Sequence, residues 1–221
     1  MPSPTSHEPR ILITAGPTLE HLDPVRGILN RSSGKMGLAL ARSCYDRGLP
    51  ALVLLGPVEA KVNEEFQKCC QVVSYQTSAE LNGLLARFWP EHDLLLMAAA
   101  VSDLRPAQIS KNKLPRSAVS IDLEPVPDLL ASLAREWPTH GIRIGFALED
   151  SIHLVARAKE KLKAKSCHAI AANPLSTIGS NTVSGTWVTT EGAEPFGTLT
   201  KSEYAAAVLE RSLHLWSVHS G

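Results

Sequence analysis

The chain has 221 residues, a length that accommodates one large domain or two small ones and buries a core without disulfide bonds. Its 22 lysine and arginine residues balance its 22 aspartate and glutamate residues, and this zero net charge argues against a general binder of nucleic acids or membranes. The N-terminus lacks the apolar segment of a secretory signal, and no apolar run reaches the roughly 20 residues of a membrane span. No cysteines form a CxxC pair. We therefore predict a cytoplasmic protein with reduced thiols.

Apolar runs and helical patterns alternate along the chain. Short apolar runs typical of buried strands occur at residues 10–16, 49–56, 93–103, 142–148 and 167–174. Apolar residues at helical spacing predict helices at residues 33–48, 77–92, 151–166 and 201–220, and the segment TWVTT at 186–190 predicts one arm of a short hairpin. This alternation predicts an α/β fold, a doubly wound and mostly parallel Rossmann-like sheet with helices on both faces.

Two connections between these elements are unusually long. No linker or repeat divides the chain, so we expect one domain over residues 1–221, with residues 1–9 as a disordered tail. Within it, the first long connection covers residues 16–32, and the second, a flap loop at residues 104–128, contains four prolines and no helical pattern. Both follow carboxyl ends of strands, where open α/β sheets bind ligands, so we expect the functional site there.

The stretch GILNRSSGKMG, at residues 27–37, is similar to a phosphate-binding P-loop but has the wrong spacing. Six residues separate Gly27 from Gly34, more than a P-loop allows, and Met36 stands where a P-loop has serine or threonine after its lysine. The GxGxxG pattern of dinucleotide-binding proteins is also absent after the first strand. This loop is therefore not expected to hold a nucleotide in either of these two ways.

The residues around the start of the first helix are candidates for anion binding. Ser32, Ser33 and Gly34 stand where free N–H groups and the helix dipole favour negative charge, and ordinary helix capping is the alternative. Asn30 precedes them. Its amide can donate to a carbonyl or phosphoryl oxygen on which charge builds, or it can serve as a turn residue.

A carboxylate and a basic segment follow the third strand. Asp103 comes after the small residues Ala98–Ala100, which let a flat ligand approach the backbone; its carboxylate can bind a ribose hydroxyl, help to hold Mg²⁺, or cap a turn. The flap carries Lys111, Lys113 and Arg116 without an intervening acidic residue. This pattern is typical of a flap that closes over a polyphosphate, and also of a solvated run of charge.

Another set of basic residues shares one face of the third predicted helix. Arg157, Lys161 and Lys165 repeat every four residues, and Glu149 and Glu160 are expected to relieve their repulsion only in part, so an anionic ligand is a candidate partner. No histidine pairs with a nucleophile in the sequence, and no Ser-His-Asp, Cys-His or G-x-S-x-G arrangement is present. Covalent catalysis by a protein nucleophile is therefore not expected.

Taken together, these segments resemble the phosphopantothenate–cysteine ligase family, also called phosphopantothenoylcysteine synthetase. The segments are ITAGPT, DPVRGILNRSSGKMG, AAAVSDLRP, NKLPR, PVPDLL, GFALE, ARAKEKLKAK and AANP, in the family's order over about residues 10–190. The resemblance implies a two-step ligation in coenzyme A biosynthesis. The carboxylate of 4'-phosphopantothenate attacks the α-phosphate of a nucleoside triphosphate, CTP in the bacterial type, with Mg²⁺ bridging phosphates. The amine of L-cysteine then displaces CMP.

The resemblance also implies roles for individual residues. It implies two catalytic residues, Asn30, which stabilises the acyl-cytidylate, and Lys113, which reaches the nucleotide phosphates. The substrate-binding residues that it implies are Arg26, Asn30, Ser32, Ser33, Gly34 and Ala100. The nucleotide contacts that it implies are Met97, Ala98, Ala99, Asp103, Lys113, Pro127, Asp128, Leu129, Leu130, Phe146, Lys161 and Lys165. It further implies a homodimer in which flap residues reach the partner's site, and it assigns no metal ligand.

The sequence departs from the family pattern in two places, and other functions stay open. Arg31 stands where the family commonly has histidine, and Pro115 and Arg116 stand where it has lysines. Because the first strand begins near the N-terminus, we expect no fused flavin-dependent decarboxylase and no FMN. The choice between CTP and ATP is open. The alternatives are a short-chain NAD(P) oxidoreductase, which would need the absent GxGxxG and Tyr-x-x-x-Lys patterns, and a non-catalytic nucleotide-binding module.

Overall fold

The computed structural model describes residues 8–117, 120–177 and 179–219. Its strands are β1 (Ile11–Ala15), β2 (Leu19–His21), β3 (Gly27–Leu29), β4 (Ala51–Leu55), β5 (Gln71–Ser74), β6 (Leu94–Met97), β7 (Leu104–Pro106), β8 (Leu123–Pro125), β9 (Ile142–Glu149), β10 (Ala169–Pro174), β11 (Thr182–Val183), β12 (Thr186–Val188), β13 (Ala193–Pro195) and β14 (Leu199–Thr200). Its helices are α1 (Lys35–Asp46), α2 (Ala60–Gln67), α3 (Ser78–Phe88), α4 (Leu129–Glu136), α5 (Leu154–Ala164) and α6 (Lys201–His219). The predicted disordered tail falls mainly on residues 1–7, outside the described residues, whereas Pro9 is buried.

The main sheet has the strand order β13-β12-β10-β9-β6-β1-β4-β5 within the described residues. The strands from β10 to β5 run parallel, and β12 and β13 are antiparallel additions at one edge. In the middle, Ile13 of β1 pairs with Val53 of β4 on one side and with Leu96 of β6 on the other. The strand order therefore reverses between β1 and β6. This topology confirms the predicted α/β fold and creates a crevice at the carboxyl ends of these strands.

Helices cover both faces of the sheet because successive strand residues point to opposite sides. Ile11 and Ile13 join a core with residues of α1, α2 and α6, whereas Leu12 joins a second core with residues of α3, α4 and α5. Buried apolar surface on both faces explains why these strands read as continuous apolar runs. None of the helices in residues 8–117, 120–177 and 179–219 has the length and apolar character needed to cross a membrane.

The predicted strands and helices are all present, but several short elements were missed. The sequence predicted nothing at residues 57–75, where α2 and β5 lie, or at α4, and the two long connections contain the hairpins β2–β3 and β7–β8. These strands have three residues each, too few for a visible alternation. The helix α2 buries Phe66 alone, so its apolar face is weak. The TWVTT segment contains β12, one arm of the β12–β13 hairpin, and β12 also joins the main sheet beside β10.

The start of α1 depends on two glycines of the GKMG segment. Gly34 precedes the helix with φ of 71°, in the left-handed region that favours glycine. Gly37 lies where α1 crosses β1, and a Cβ at this position would lie 2.3 Å from the Cβ of Ala15. The absence of a side chain at Gly37 therefore lets the helix approach the strand closely, beside the crevice.

We expect the Gly37→Ala variant to be destabilised by about 1–3 kcal/mol, because overpacking forces α1 away from β1. The matched control is Gly83→Ala in α3, where a Cβ would meet no atom within 4 Å. That control is expected to be neutral or more stable by roughly 0.5–1 kcal/mol, because alanine favours a helix interior. Chemical denaturation of both variants measures the difference. Equal stability of the two variants would contradict the close packing at Gly37.

Candidate functional site

A cavity of about 500 Å³ opens at the crevice, beyond the carboxyl ends of the parallel strands. Its walls come from the start of α1, the segment that follows β6, the start of α4, the second half of β9 and one face of α5. The predicted site residues that line it are Ser32, Ser33, Gly34, Met97, Ala98, Ala99, Ala100, Asp103, Pro127, Asp128, Leu129, Leu130, Phe146, Lys161 and Lys165. Arg26, Asn30 and Lys113 are not among the residues that line it.

One wall of the cavity is flat and apolar. Phe146 and the three residues Ala98–Ala100 are half-buried, and Leu129 and Leu130 close the wall from α4. Small side chains let a planar group approach the backbone, and the phenylalanine ring offers a surface for stacking. This wall is therefore suited to a planar apolar group.

The segment after β6 is held in place by side chains from β1 and the first long connection. The Thr14 hydroxyl accepts a hydrogen bond from the Ala99 N–H at 3.1 Å, and the Thr18 hydroxyl accepts one from the Ser102 N–H at 2.9 Å. Both threonines are fully buried. Neither threonine was predicted as a site residue, although a threonine within an apolar strand, as Thr14 is, is a usable sign of such a buried hydrogen bond.

Asn30 also contacts this segment, from behind the cavity wall. Its amide nitrogen donates to the carbonyl oxygens of Ala100 at 3.3 Å and Val101 at 3.0 Å. The sequence predicted an amide aimed at a ligand oxygen, whereas here the amide holds a backbone segment whose residues line the cavity. Asn30 therefore borders the site through Ala100 and Val101.

The start of α1 presents backbone N–H groups to the cavity. The helix begins at Lys35 rather than at the serines. Gly34 is its N-cap residue, and no side chain caps this helix end. Ser32 lies just outside the helix, where its hydroxyl accepts from the Gly34 N–H at 3.4 Å. The N–H groups of the first helical turn lack partners within the helix, and Lys35, Met36 and Gly37 all line the cavity. This end of the cavity is suited to an anionic group.

The basic face of α5 is paired with acids more completely than the sequence indicated. The nearly buried Glu149 carboxylate accepts from Arg157 at 3.1 Å and from Lys161 at 2.5 Å. Lys165 contacts Asp128 at 2.6 Å. The expectation that acids relieve the repulsion only in part was wrong, because the fold brings β9 and the start of α4 against this helix face. Lys161 and Lys165 still remain partly exposed in the cavity.

The ion pairs of Glu149 are expected to make stability depend on pH. The hydrogen bond from Lys161 lowers the pKa of Glu149 below its ordinary value of 4.5. The resulting stabilisation is complete above the unfolded-state pKa and is lost as the pH falls through the lower folded-state pKa. We expect Glu149→Gln to be less stable by about 1.5–3 kcal/mol at neutral pH, the range for hydrogen bonds to a charged group.

Thermal unfolding of Glu149→Gln and the wild type across the acidic range tests this prediction. The difference should shrink as the pH falls below 4.5. Glu160→Gln is the matched control, because Glu160 is an exposed residue of the same helix. A difference that stays constant down to low pH would show that Glu149 does not act through its charge.

Polar residues that were not predicted from the sequence lie at the end of the cavity near α6. Lys201, at the start of α6, lines the cavity together with Asn173 and Thr177. Burial lowers the pKa of the Lys201 ammonium group, and the charge of Lys35 lowers this pKa further. Lys35 and Lys201 both line the cavity, and two cations at one end of a cavity favour an anionic ligand there. Sequence spacing does not indicate this, because the two lysines lie 166 positions apart and meet only in the fold.

Arg26 and Lys113 lie outside the cavity. Arg26 is in the first long connection, and Lys113 is in the flap. Arg26 forms an ion pair with Asp23 at 2.6 Å and donates to the carbonyl oxygen of Leu114 at 2.7 Å. Lys113, next to Leu114, is exposed. The fold thus connects Arg26 with the flap, whereas the other predicted site residues gather in the cavity or against its wall.

Histidine and cysteine side chains show no arrangement for covalent catalysis among the described residues. Burial lowers the pKa of His168 to about 4, and its ring accepts from the Arg143 N–H at 3.1 Å. Burial raises the pKa of both Cys44 and Cys70 to about 12, so neither is a reactive thiolate at neutral pH. His168 and Cys44 pack within the protein, and Cys70 is half-buried.

A magnesium ion fits this cavity only as a partner of bound phosphates. No three histidine, cysteine, aspartate or glutamate residues in the described ranges are grouped to hold a metal. Asp103 is an exposed carboxylate in the cavity lining. Since Mg²⁺ commonly uses one or two carboxylates together with substrate phosphates and water, Asp103 is the residue suited to it.

Comparison with known proteins places this geometry in a family. Residues 6–215 match the family described as the DNA/pantothenate metabolism flavoprotein C-terminal domain. A protein of an unknown prokaryotic organism, named cysteine/cysteine sulfinic acid decarboxylase, is 33% identical over 213 residues, which cover 93% of this chain and 58% of that protein. The coenzyme A biosynthesis bifunctional protein CoaBC of Vibrio cholerae is 33% identical over 208 residues, covering 90% and 51%. That of Borreliella burgdorferi is 30% identical over 204 residues, covering 91% and 51%. The chain therefore spans little more than half the length of these relatives.

Solved structures share the whole fold. The C-terminal domain of a coenzyme A biosynthesis bifunctional protein CoaBC superposes with a TM-score of 0.75 at 30% identity, covering 94% of this chain and 95% of that one. A Cab2 mutant in complex with phosphopantothenate-cysteine superposes with a TM-score of 0.79, covering 96% of this chain and 88% of that one. The second pair is 19% identical, so that likeness concerns the fold alone.

Proposed function

Since this chain belongs to the family of the DNA/pantothenate metabolism flavoprotein C-terminal domain, we propose that it joins 4'-phosphopantothenate to L-cysteine in coenzyme A biosynthesis. The observation that carries the proposal is the end-to-end match with the solved CoaBC C-terminal domain. The cavity supports it, because all the residues expected to contact a nucleotide except Lys113 gather there, around an apolar wall and cationic ends.

The proposed reaction has two steps at one site. A carboxylate oxygen of phosphopantothenate attacks the α-phosphorus of the nucleoside triphosphate, and pyrophosphate leaves. The cysteine amine then attacks the acyl carbon, loses a proton, and displaces the nucleoside monophosphate. Neither step needs a protein nucleophile, so the chain contributes by positioning the reactants and by stabilising negative charge.

The protein groups have separate parts in this scheme. The base lies against Phe146 and the alanine segment, and the first turn of α1 receives phosphate oxygens through its N–H groups. Asn30 supports the carbonyl groups of Ala100 and Val101 beside the reacting acyl group. Mg²⁺ bound at Asp103 with substrate phosphates would supply further charge neutralisation. We propose CTP as the nucleotide, as the sequence resemblance implies.

We further propose that two copies of the chain form the active unit. The hairpins β2–β3 and β7–β8 pack beside each other, and large apolar side chains on them and on the flap are exposed. These side chains are Val25, Leu29, Leu104, Ile109, Ile121 and Leu123. An exposed apolar surface of this kind typically marks a protein interface. Because Lys113 lies on the same side, outside its own cavity, it is a candidate to serve the partner's site.

Pyrophosphate release tests the proposed function directly. Purified protein is incubated with phosphopantothenate, Mg²⁺ and either CTP or ATP, with and without cysteine. Release that requires phosphopantothenate, with the nucleoside monophosphate and the cysteine amide as products, is the expected result and identifies the nucleotide. No release with either nucleotide, but measurable nucleotide binding, would favour the non-catalytic module instead.

Lys201→Gln is expected to raise the KM for an anionic substrate about tenfold with a smaller change in kcat, because a charge-assisted contact to the bound anion is lost. The control is Lys163→Gln, an exposed lysine of α5 that does not line the cavity. Steady-state kinetics with each substrate varied in turn measures the effect and identifies the anion concerned. Unchanged KM values for both anionic substrates would exclude Lys201 from binding.

A further inference from the structure

The Asp23 carboxylate has a full set of hydrogen bonds although it lies in a surface loop. Its side chain is completely buried. One oxygen accepts from the N–H groups of Val25 and Arg26, both at 2.8 Å. The other oxygen accepts from the Arg26 side chain, through Nε at 2.9 Å, and from the Leu114 N–H at 3.0 Å. Asp23 therefore contacts both the first long connection and the flap.

Leu114 is bound to this loop through both of its backbone polar groups. Its N–H donates to Asp23, and its carbonyl oxygen accepts from Nη2 of Arg26 at 2.7 Å. A further backbone bond joins the Ser110 N–H to the Leu22 carbonyl oxygen at 3.0 Å. The flap is thereby attached to the β2–β3 hairpin at both ends of the segment Ser110–Leu114, which we call the latched segment.

The attachment depends on the negative charge of Asp23. The Leu114 N–H, the neighbouring N–H groups and the guanidinium group together hold the pKa of Asp23 well below its usual range. An asparagine has the same shape, but its NH₂ group would face a donor and the ion pair with Arg26 would be lost. Lys113 lies within the latched segment and precedes Leu114 directly, so its backbone position depends on these bonds.

We propose that Asp23 is a positioning residue that, with Arg26, holds the latched segment and thereby determines where Lys113 presents its ammonium group. The effect on activity rests on the proposed function, in which Lys113 contacts nucleotide phosphates. The hydrogen bonds themselves do not depend on that function. Arg26 accordingly acts on the flap, a part that is additional to the substrate contact that the resemblance implies.

Amide hydrogen exchange without substrates tests the latch independently of activity. In Asp23→Asn, the Leu114 N–H is expected to exchange at least about tenfold faster than in the wild type, because its charged acceptor is lost. The control is Glu65→Gln, which removes a carboxylate paired with Arg42 and Lys68 far from the flap. The control should leave Leu114 exchange unchanged. Unchanged Leu114 exchange in Asp23→Asn would overturn the proposal.

A double-mutant cycle tests the link to Lys113. The rate of nucleotide-dependent pyrophosphate release is compared in the wild type, Asp23→Asn, Lys113→Gln and the double variant. Non-additive losses are expected, with little further loss from Lys113→Gln once Asp23 is replaced. Fully additive losses would overturn the link between the two residues. If Lys113→Gln alone has no effect, the proposed role of Lys113 fails, and Leu114 exchange still decides whether Asp23 holds the flap.

A second variant covers the case in which Asp23→Asn does not fold. Arg26→Lys keeps the positive charge but lacks the guanidinium fork. A single ammonium group therefore cannot bind Asp23 and the Leu114 carbonyl oxygen in the same way at the same time. Faster Leu114 exchange in folded Arg26→Lys would support the latch. Exchange at the wild-type rate would overturn the part assigned to Arg26.

Discussion

Replacement of Asn30 by aspartate is expected to reduce formation of the cysteine amide by about 10²–10³-fold, an effect as large as the loss of one stabilising donor beside a reacting acyl group. The structure gives the reason for this large effect. The Asn30 amide donates to the carbonyl oxygens of Ala100 and Val101, and a carboxylate cannot donate to either of them. The segment that forms the cavity wall would therefore be repelled instead of held, and a negative charge would stand near two anionic substrates.

Product analysis by mass spectrometry together with pyrophosphate release separates the two steps in Asn30→Asp. We expect weak nucleotide consumption and almost no amide. The control is Asn82→Asp, the same substitution at an exposed position of α3. Amide formation at the wild-type rate in Asn30→Asp would overturn the role assigned to this residue.

Replacement of Lys113 by glutamine is expected to slow the first, nucleotide-dependent step by about 10–100-fold, because a charge-assisted contact to the transferring phosphate is lost. Lys113 is exposed and does not line the cavity of its own chain. The prediction can therefore also test whether Lys113 serves the partner's site. If the flap of each protomer serves its partner, the Asn30 and Lys113 of one working site come from different chains.

Mixed dimers of Asn30→Asp and Lys113→Gln protomers distinguish the two arrangements. In a mixed dimer, one site then combines an intact Asn30 with an intact Lys113 from the partner, and activity should return to about a quarter of the wild-type value after random mixing. If Lys113 instead serves its own chain, no site is complete and mixing restores nothing. Slowing of the cysteine step alone in Lys113→Gln would contradict its assignment to the nucleotide phosphates.

The sequence predicted the sheet and much of the cavity lining because both depend on short stretches of chain. Apolar runs mark strands that are buried on both faces, and in a parallel sheet the loops after their carboxyl ends meet at one edge. The segments around Ser32 and Ala98 could therefore be assigned to one site before their positions were known, and the family resemblance added Phe146. The three-residue strands of the long connections carry too few residues to show a period, so both connections looked irregular.

The sequence by itself determined the fold class, the family resemblance and the edge of the sheet that holds the site, because these depend on local patterns of apolar residues and on the order of motifs. Only the tertiary structure decided which charges are paired and which remain available. Glu149 and Asp128 pair with the bases of a helix face that looked unsatisfied, Lys201 joins a cavity from the far end of the chain, and Asp23 connects two loops. Such pairings join residues distant in sequence. Burial and distance set their strength, and neither can be read from the order of residues.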